Sequence, residues 1–287
     1  TSWWGNYGAR FADPEIWEGQ NTALKIYDVS NISEPSAQLQ IEIEGGFVNS
    51  RKKGDIVYLV ARHTPSIDNY TFFPNEEQQA SNQAAIDALN IDQILPKLRV
   101  NGDITGLLNA EDCRITDADN AIAPSAPASP IMTMIIAIDL QEQEIANAIC
   151  YLDSTSGIYV SENAIYLTQV DYSNSADESI DRTIVHSFSL STELNYLGSG
   201  AADGQLVTGS NRDFRINEHE EYLRLITTAY TDNSADRVDH QLSILRLADE
   251  SLELETIAIL PNAQRPDPIG KPNEELYGVR FMGDKVY

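Results

Sequence analysis

The chain has 287 residues, enough for one large domain or two ordinary ones with a substantial buried core. Nineteen Lys and Arg against 44 Asp and Glu leave a formal charge of −25, a field that repels phosphate backbones and anionic headgroups and so argues against nucleic-acid binding and against membrane binding through a basic patch. Hydrophobic residues make up 42%, a globular composition, and the longest nearly uncharged apolar stretch, 131–138, is too short to span a bilayer.

Near the start, Trp3, Trp4, Tyr7, Phe11 and Trp17 lie among Gly5, Gly8 and Gly19. Such a stretch either packs as a long loop on the rest of the chain or offers rings for stacking on sugar or peptide. Beyond it the chain repeats itself. One unit ends in a polar residue followed by an aliphatic one: 24–29 (LKIYDV), 135–140 (IIAIDL), 185–190 (VHSFSL) and 242–247 (LSILRL). A second short strand-like run follows each, at 38–44, 145–152, 193–197 and 254–260. Then comes a tight strand-turn-strand whose second strand begins around a Tyr, at 47–58, 158–166, 214–222 and 279–287. Gly54-Asp55, Glu162-Asn163, Glu218-His219 and Gly283-Asp284 stand where each hairpin has to turn.

Asp139 to Ser189 is 50 residues and Ser189 to Arg246 is 57, and a four-strand period of that size is the signature of propeller blades. With strands named a to d from the axis outward, the chain opens on strands c and d of one blade. It completes three blades near 47–152, 157–198 and 213–260, and closes on strands a and b of another. The expected fold is therefore all-β, a partial β-propeller of four-stranded antiparallel blades forming one domain over 1–287. Both ends fall inside blades, and the chain reads as a fragment of a longer protein.

The first interval, Asp28 to Asp139, is 111 residues, and the excess predicts an insertion at 63–132 between strands b and c. Within it Asn75 and Gln78 form a capping box, and Pro96 stops the helix that they start. Ala85, Leu89, Ile91, Ile94 and Leu95 supply a short apolar stripe, expected to pack on the blades, and Pro124, Pro127 and Pro130 mark an extended return segment. Cys113 and Cys150 lack metal-ligand spacing. They are either two buried thiols or one disulfide joining a loop to a strand, and the topology places them close together.

The segments 22–29 (TALKIYDV), 50–60 (SRKKGDIVYLV), 214–228 (FRINEHEEYLRLITT) and 276–287 (LYGVRFMGDKVY) resemble a secreted beta-propeller-domain family of bacteria and archaea that is distantly related to WD40 repeats. The resemblance covers nearly the whole chain and is weakest at 64–110 and 170–182. It implies an exported propeller, extracellular or periplasmic and often tethered to the membrane through a segment outside this chain, with no established activity and no catalytic residues to carry over. Export would place Cys113 and Cys150 in an oxidising compartment, which favours the disulfide.

A phosphate loop, a dinucleotide glycine fingerprint, a His-Glu-x-x-His pair and a nucleophile elbow are all absent from the sequence. His63, His186, His219 and His240 fall on different elements; His63 and His240 end different b-to-c connections, which would bring them to one rim, while His219 reads as a solvated turn residue. Asp117, Asp119 and Asn120 resemble the start of a calcium loop but lack its glycine and distal Glu. Calcium is the one cofactor that the sequence suggests.

Strand alternation sends the b-to-c and d-to-a connections to the same end of every blade, and these are the long ones. The expected ligand surface is that rim, acidic through Asp171, Asp177, Glu178, Asp181, Asp232, Asp236 and Asp239. The expected function is an extracytoplasmic binding or interaction module of the cell envelope for a protein, peptide or glycan, without nucleic acid and without insertion of this chain into a membrane. The alternative is a metal-dependent propeller hydrolase or lyase, which needs acidic and His residues converging on the central channel.

Overall fold

Strands that are apolar on both faces need a covering layer on each side, and this chain supplies it by stacking antiparallel sheets face to face. The computed structural model describes residues 13–106, 108–115, 130–152, 155, 157–172, 181–206, 214–230 and 237–287. Its first sheet is built on β1 (Asn21–Asp28) and β2 (Ser36–Glu44). The next three sheets follow chain order as antiparallel a-b-c-d units. The first is β3 (Gly46–Lys53), β4 (Ile56–His63), β8 (Met132–Asp139) and β9 (Glu144–Leu152). The second is β10 (Gly157–Val160), β11 (Ala164–Asp171), β12 (Arg182–Ser189) and β13 (Tyr196–Asp203). The third is β14 (Ile216–His219), β15 (Tyr222–Tyr230), β16 (Val238–Leu247) and β17 (Leu254–Leu260), and a last hairpin pairs β18 (Phe281–Met282) with β19 (Lys285–Val286). These are the blades that the repeat spacing predicts.

Period-two alternation distributes each strand between two cores. From β4, Leu59 and Ala61 join Ile41, Ile43 and Ile136 on the side of the first sheet, while Tyr58 and Val60 join Ile135, Ile165, Leu167 and Phe188 between the first and second blades. Ala164 and Tyr166, alternating with Ile165 and Leu167, face the third blade and its Leu223, Leu225 and Leu245. Every residue of β11 is buried, as expected for a central strand of a sheet sandwiched on both sides. Phe281 is half-buried on a smaller cluster with Ile226, Leu242 and Val279.

Each c-to-d ladder slips register once near its turn, between Ile26 and Tyr27, Ala137 and Ile138, Ser187 and Phe188, and Ile244 and Leu245. A bulge repeated at one place in four sheets gives each outer strand the same added twist. The hairpin turns sit at Gly54-Asp55, at 161–163 and at Gly283-Asp284. In the third blade the turn is Glu220-Glu221 rather than Glu218-His219, because Glu220 takes the left-handed conformation (φ 56°) and keeps the two preceding residues in β14.

The polypeptide between β4 and β8 departs from the expected single helix. Asn75 and Gln78 do form the capping box of α1 (Glu76–Asp87), but a second box at Asn90 and Gln93 restarts the chain as α2 (Ile91–Ile94) before Pro96. The apolar stripe adds no residue to the buried core. Ala85, Leu89, Ile94 and Leu95 are half-buried and Ile91 is exposed, and α1 is held instead through buried Asn82, whose side-chain amide donates to the Thr71 carbonyl and accepts from the Thr71 N–H.

Three further strands in this segment cover sheet edges that would otherwise be open. Strands β5 (Lys97–Val100) and β6 (Asp103–Gly106) are joined by the left-handed pair Asn101-Gly102 and extend the first sheet beyond β2. Strand β7 (Cys113–Arg114) runs parallel to the outer edge of β9, where Cys113 lies opposite Cys150 and forms a disulfide with it, the Cα atoms 4.4 Å apart. At the start of the described chain Trp17 is buried against Ile131, with the Arg62 guanidinium 5.4 Å from its ring centre. That ring is packing, while the other N-terminal aromatics lie outside the described residues.

Two outcomes follow from these contacts. The disulfide closes a separation of 37 residues, so replacing Cys113 and Cys150 by Ser should lower the unfolding free energy in urea by about 3 to 4 kcal/mol, and an unchanged midpoint would show that the bond constrains nothing. His186 stacks 4.3 Å from Tyr151 between the first two blades, its Nε2 2.8 Å from the Tyr151 hydroxyl, and burial pushes its pKa down to about 3. The unfolded chain therefore binds a proton at this site below about pH 6.5 while the folded one does not. The site's contribution to stability is complete above that pH and is lost as pH falls toward about 3. Between about pH 6 and 4 the unfolding free energy should fall less steeply in His186→Gln, by about 1.4 kcal/mol per pH unit, whereas parallel curves would exclude His186 as a source of acid sensitivity.

Candidate functional site

The long-loop end of the blades is a belt of buried polar side chains that hold the crossings between blades. The second residue of strand c is Thr in three sheets, and each bonds the d-to-a crossing of its own sheet. Thr22 donates to the Gly45 carbonyl at 2.7 Å, Thr183 donates to the Gly204 carbonyl at 2.8 Å, and the Thr133 hydroxyl lies 3.4 Å from that of Thr155. Arg62 donates to both the carbonyl and the hydroxyl of Thr155. In the third blade, Arg215 donates to the Thr228 hydroxyl at 2.9 Å and to the Leu276 carbonyl at 3.0 Å, and His240 links Thr228 (2.9 Å) to the Glu274 carbonyl (2.8 Å).

The acidic rim residues fall partly within this belt. Asp171 is buried and accepts from Arg182 Nε at 3.0 Å, directly across the ladder. Asp181 accepts from the Gln205 amide at 2.5 Å, and Asp239 accepts from the His240 N–H at 2.8 Å. All three stand at the long-loop end, but each serves the chain itself. Asp177, Glu178, Asp232 and Asp236 lie outside the described residues, as do Asp117, Asp119 and Asn120 of the calcium-like run. His63 and His240 are engaged separately, His63 through the backbone of Ile94. Among the described residues no group of three or more His, Cys, Asp and Glu is placed to hold a metal ion.

A second arrangement occupies the opposite, short-turn end, where each hairpin reaches the next blade. Lys53 Nζ donates to the Glu162 carbonyl at 2.7 Å, His219 Nε2 lies 3.2 Å from Asp284, and Arg224 donates to the Gly283 carbonyl at 2.7 Å. Between them, Glu218 of β14 projects onto the second blade. Its carboxylate accepts from Ser161 (2.6 Å), Tyr166 (2.7 Å) and the Asn163 amide (2.5 Å), and its N–H donates to the Tyr159 hydroxyl at 3.2 Å. Tyr159 and Tyr166 stack with ring centres 6.0 Å apart. Burial pushes both phenols above their ordinary range, and Tyr166 is raised further because its proton is donated to Glu218.

This cluster lines an open cleft of about 390 Å³ that also takes in Arg51 of the first blade, Asn217 and His219. The cleft thus spans the a strands of three blades and presents a cation, two amides, an aromatic ring and an oriented carboxylate. Such a set suits an uncharged or mixed-charge polar ligand. Sequence reasoning assigned Glu218 to a turn. Its three donors lie 52 to 57 residues away on another blade, so no local pattern announces them.

Removing Glu218 leaves three donors of the second blade without their acceptor. Glu218→Ala should therefore cost about 2 kcal/mol of unfolding free energy, whereas Glu221→Ala on the exposed turn should stay within about 0.5 kcal/mol of the parent protein. Equal effects in the two variants, measured by urea denaturation, would show that the carboxylate does not join the blades.

The overall architecture agrees with a comparison to known families. A family model for a beta propeller domain matches residues 6–287. A search of curated proteins finds no match. With three four-stranded units stacked in chain order and a match across nearly the whole length, this chain belongs to the beta propeller domain family.

Proposed function

We propose that the protein is an extracytoplasmic interaction module of the cell envelope that takes a peptide or glycan ligand in the short-turn cleft around Glu218. The observation that carries this reading is the Glu218 carboxylate, fixed by three side-chain donors from a neighbouring blade and opening with Arg51 and Tyr159 on one cleft. An acceptor held in this way needs little reordering when a ligand arrives, which lowers the entropic cost of binding. The Cys113–Cys150 bond supports the extracytoplasmic half, since such bonds persist in oxidising compartments. Soluble envelope oligosaccharides and short peptides titrated into isotope-labelled protein should shift the amide resonances of Tyr159, Asn163 and Asn217, and Tyr159→Ala should abolish those shifts. Shifts confined to the long-loop end, or persisting in Tyr159→Ala, would overturn the cleft as the site.

A further inference from the structure

The side chains that fix Glu218 leave particular atoms around it without a partner, and those atoms describe the occupant. Glu218 Oε2 accepts from both Ser161 and Tyr166, whereas Oε1 accepts only from the Asn163 amide and keeps room for one more donor. A carboxylate can only accept, so Asn163 has to turn its NH2 group toward it. That leaves the second hydrogen on Asn163 Nδ2, and Asn163 Oδ1, unpartnered among the described residues. The Tyr159 hydroxyl accepts from the Glu218 N–H at 3.2 Å and is hydrogen-bonded by the side chain of Asn217, whose own Oδ1 is taken by Arg224. The phenolic proton is therefore left to give. Two acceptor positions and two donor positions thus line one cleft, with the acceptor of Glu218 and the donor of Asn163 on either side of a 2.5 Å contact.

Donors and acceptors set side by side in this way match hydroxyl groups, because a hydroxyl oxygen gives and receives a hydrogen bond at one point. A peptide group presents either an N–H or a carbonyl at each position and draws its specificity from pockets for side chains. The cleft offers little of that kind, since Val160 is the one aliphatic side chain among its described lining residues. Nor is it an anion site. His219 is paired with Asp284, which leaves Arg51 as the one unpaired cation of the described lining against Glu162, Glu218 and Glu220, in a chain of net charge −25. We infer, on the reading of this cleft as the binding site, that its occupant is an uncharged saccharide held through two adjacent hydroxyls. One donates to Glu218 Oε1 and accepts from the Asn163 amide, and its neighbour accepts from Tyr159.

The test takes the whole chain, isotope-labelled, with the methyl glycosides of glucose, galactose, mannose and N-acetylglucosamine as probes, beside the methyl glycoside of glucuronic acid and a blocked Ala-Ser-Ala tripeptide. At least one neutral glycoside should shift the amide resonances of Asn163, Asn217 and Glu218 and bind at least tenfold more tightly than the glucuronide or the tripeptide. Its monodeoxy derivatives should lose at least tenfold at two adjacent positions and less than twofold elsewhere, because a site that hydrogen-bonds a hydroxyl rejects the analogue lacking it. In Asn163→Ala the loss at one of those two positions should disappear, whereas Glu221→Ala, on the exposed turn, should leave the pattern unchanged. Tighter binding of the tripeptide at the same resonances would overturn the saccharide and keep the cleft as the site. Glycoside shifts that avoid these residues would overturn both readings, and equal or tighter binding of the glucuronide would overturn the uncharged class. Absence of binding by all four neutral glycosides would overturn the saccharide, and deoxy losses spread evenly or falling on separated carbons would overturn the adjacent hydroxyls.

Discussion

Two-sided burial is the constraint from which the rest of this structure follows. A strand such as β11, buried at every position, exists only if apolar layers lie on both of its faces, and each layer must itself be a sheet with a second face to cover. Stacking propagates the requirement from blade to blade. The core is accordingly a series of interleaved clusters, each drawing alternate residues from two adjacent sheets.

Apolar layers alone do not fix how the sheets sit on one another, and polar contacts at the two ends supply that registration. At the long-loop end they act mainly within a blade, where Thr22, Thr133 and Thr183 tie the outgoing crossing to strand c. At the short-turn end they act between blades, through Lys53, Glu218, His219 and Arg224. Buried hydroxyls and guanidinium groups are costly when unpaired, so displacing one crossing exposes several polar atoms at once. The fold is thereby keyed at both rims, while apolar clusters carry most of the packing between them.

What could be read in the sequence was what local chemistry determines. Strand phase, the hairpins and the Asn75–Gln78 cap are set by residues within a few positions of one another, and the three blades show in the 50- and 57-residue spacing of that local pattern. The Asn101-Gly102 hairpin carries an equally local signal, since an Asn-Gly pair between Val100 and Asp103 favours a tight turn. Glu218 was beyond reach, because its partners are brought to it only by the stacking of separate blades. Asp171 stands at the long-loop end where the repeat phase puts it, and the ladder register adds its partner, Arg182, directly opposite on the neighbouring strand.

The spacing of the outer strands carries a consequence for the shape of the assembly. Between the first and second blades, bulky rings of Tyr151, His186 and Tyr196 fill the space near the periphery. Between the second and third, Gly198 and Gly200 of β13 lie against the backbone of Leu252 and Leu254, where a Cβ on either glycine would collide with a main-chain atom. Sheets held apart at their outer edges splay like an opened fan, and sheets allowed to meet there run closer to parallel. Side-chain volume at a few peripheral positions therefore limits how closely neighbouring outer strands approach, down to backbone contact where glycine faces the next blade and to the thickness of a ring where aromatics intervene.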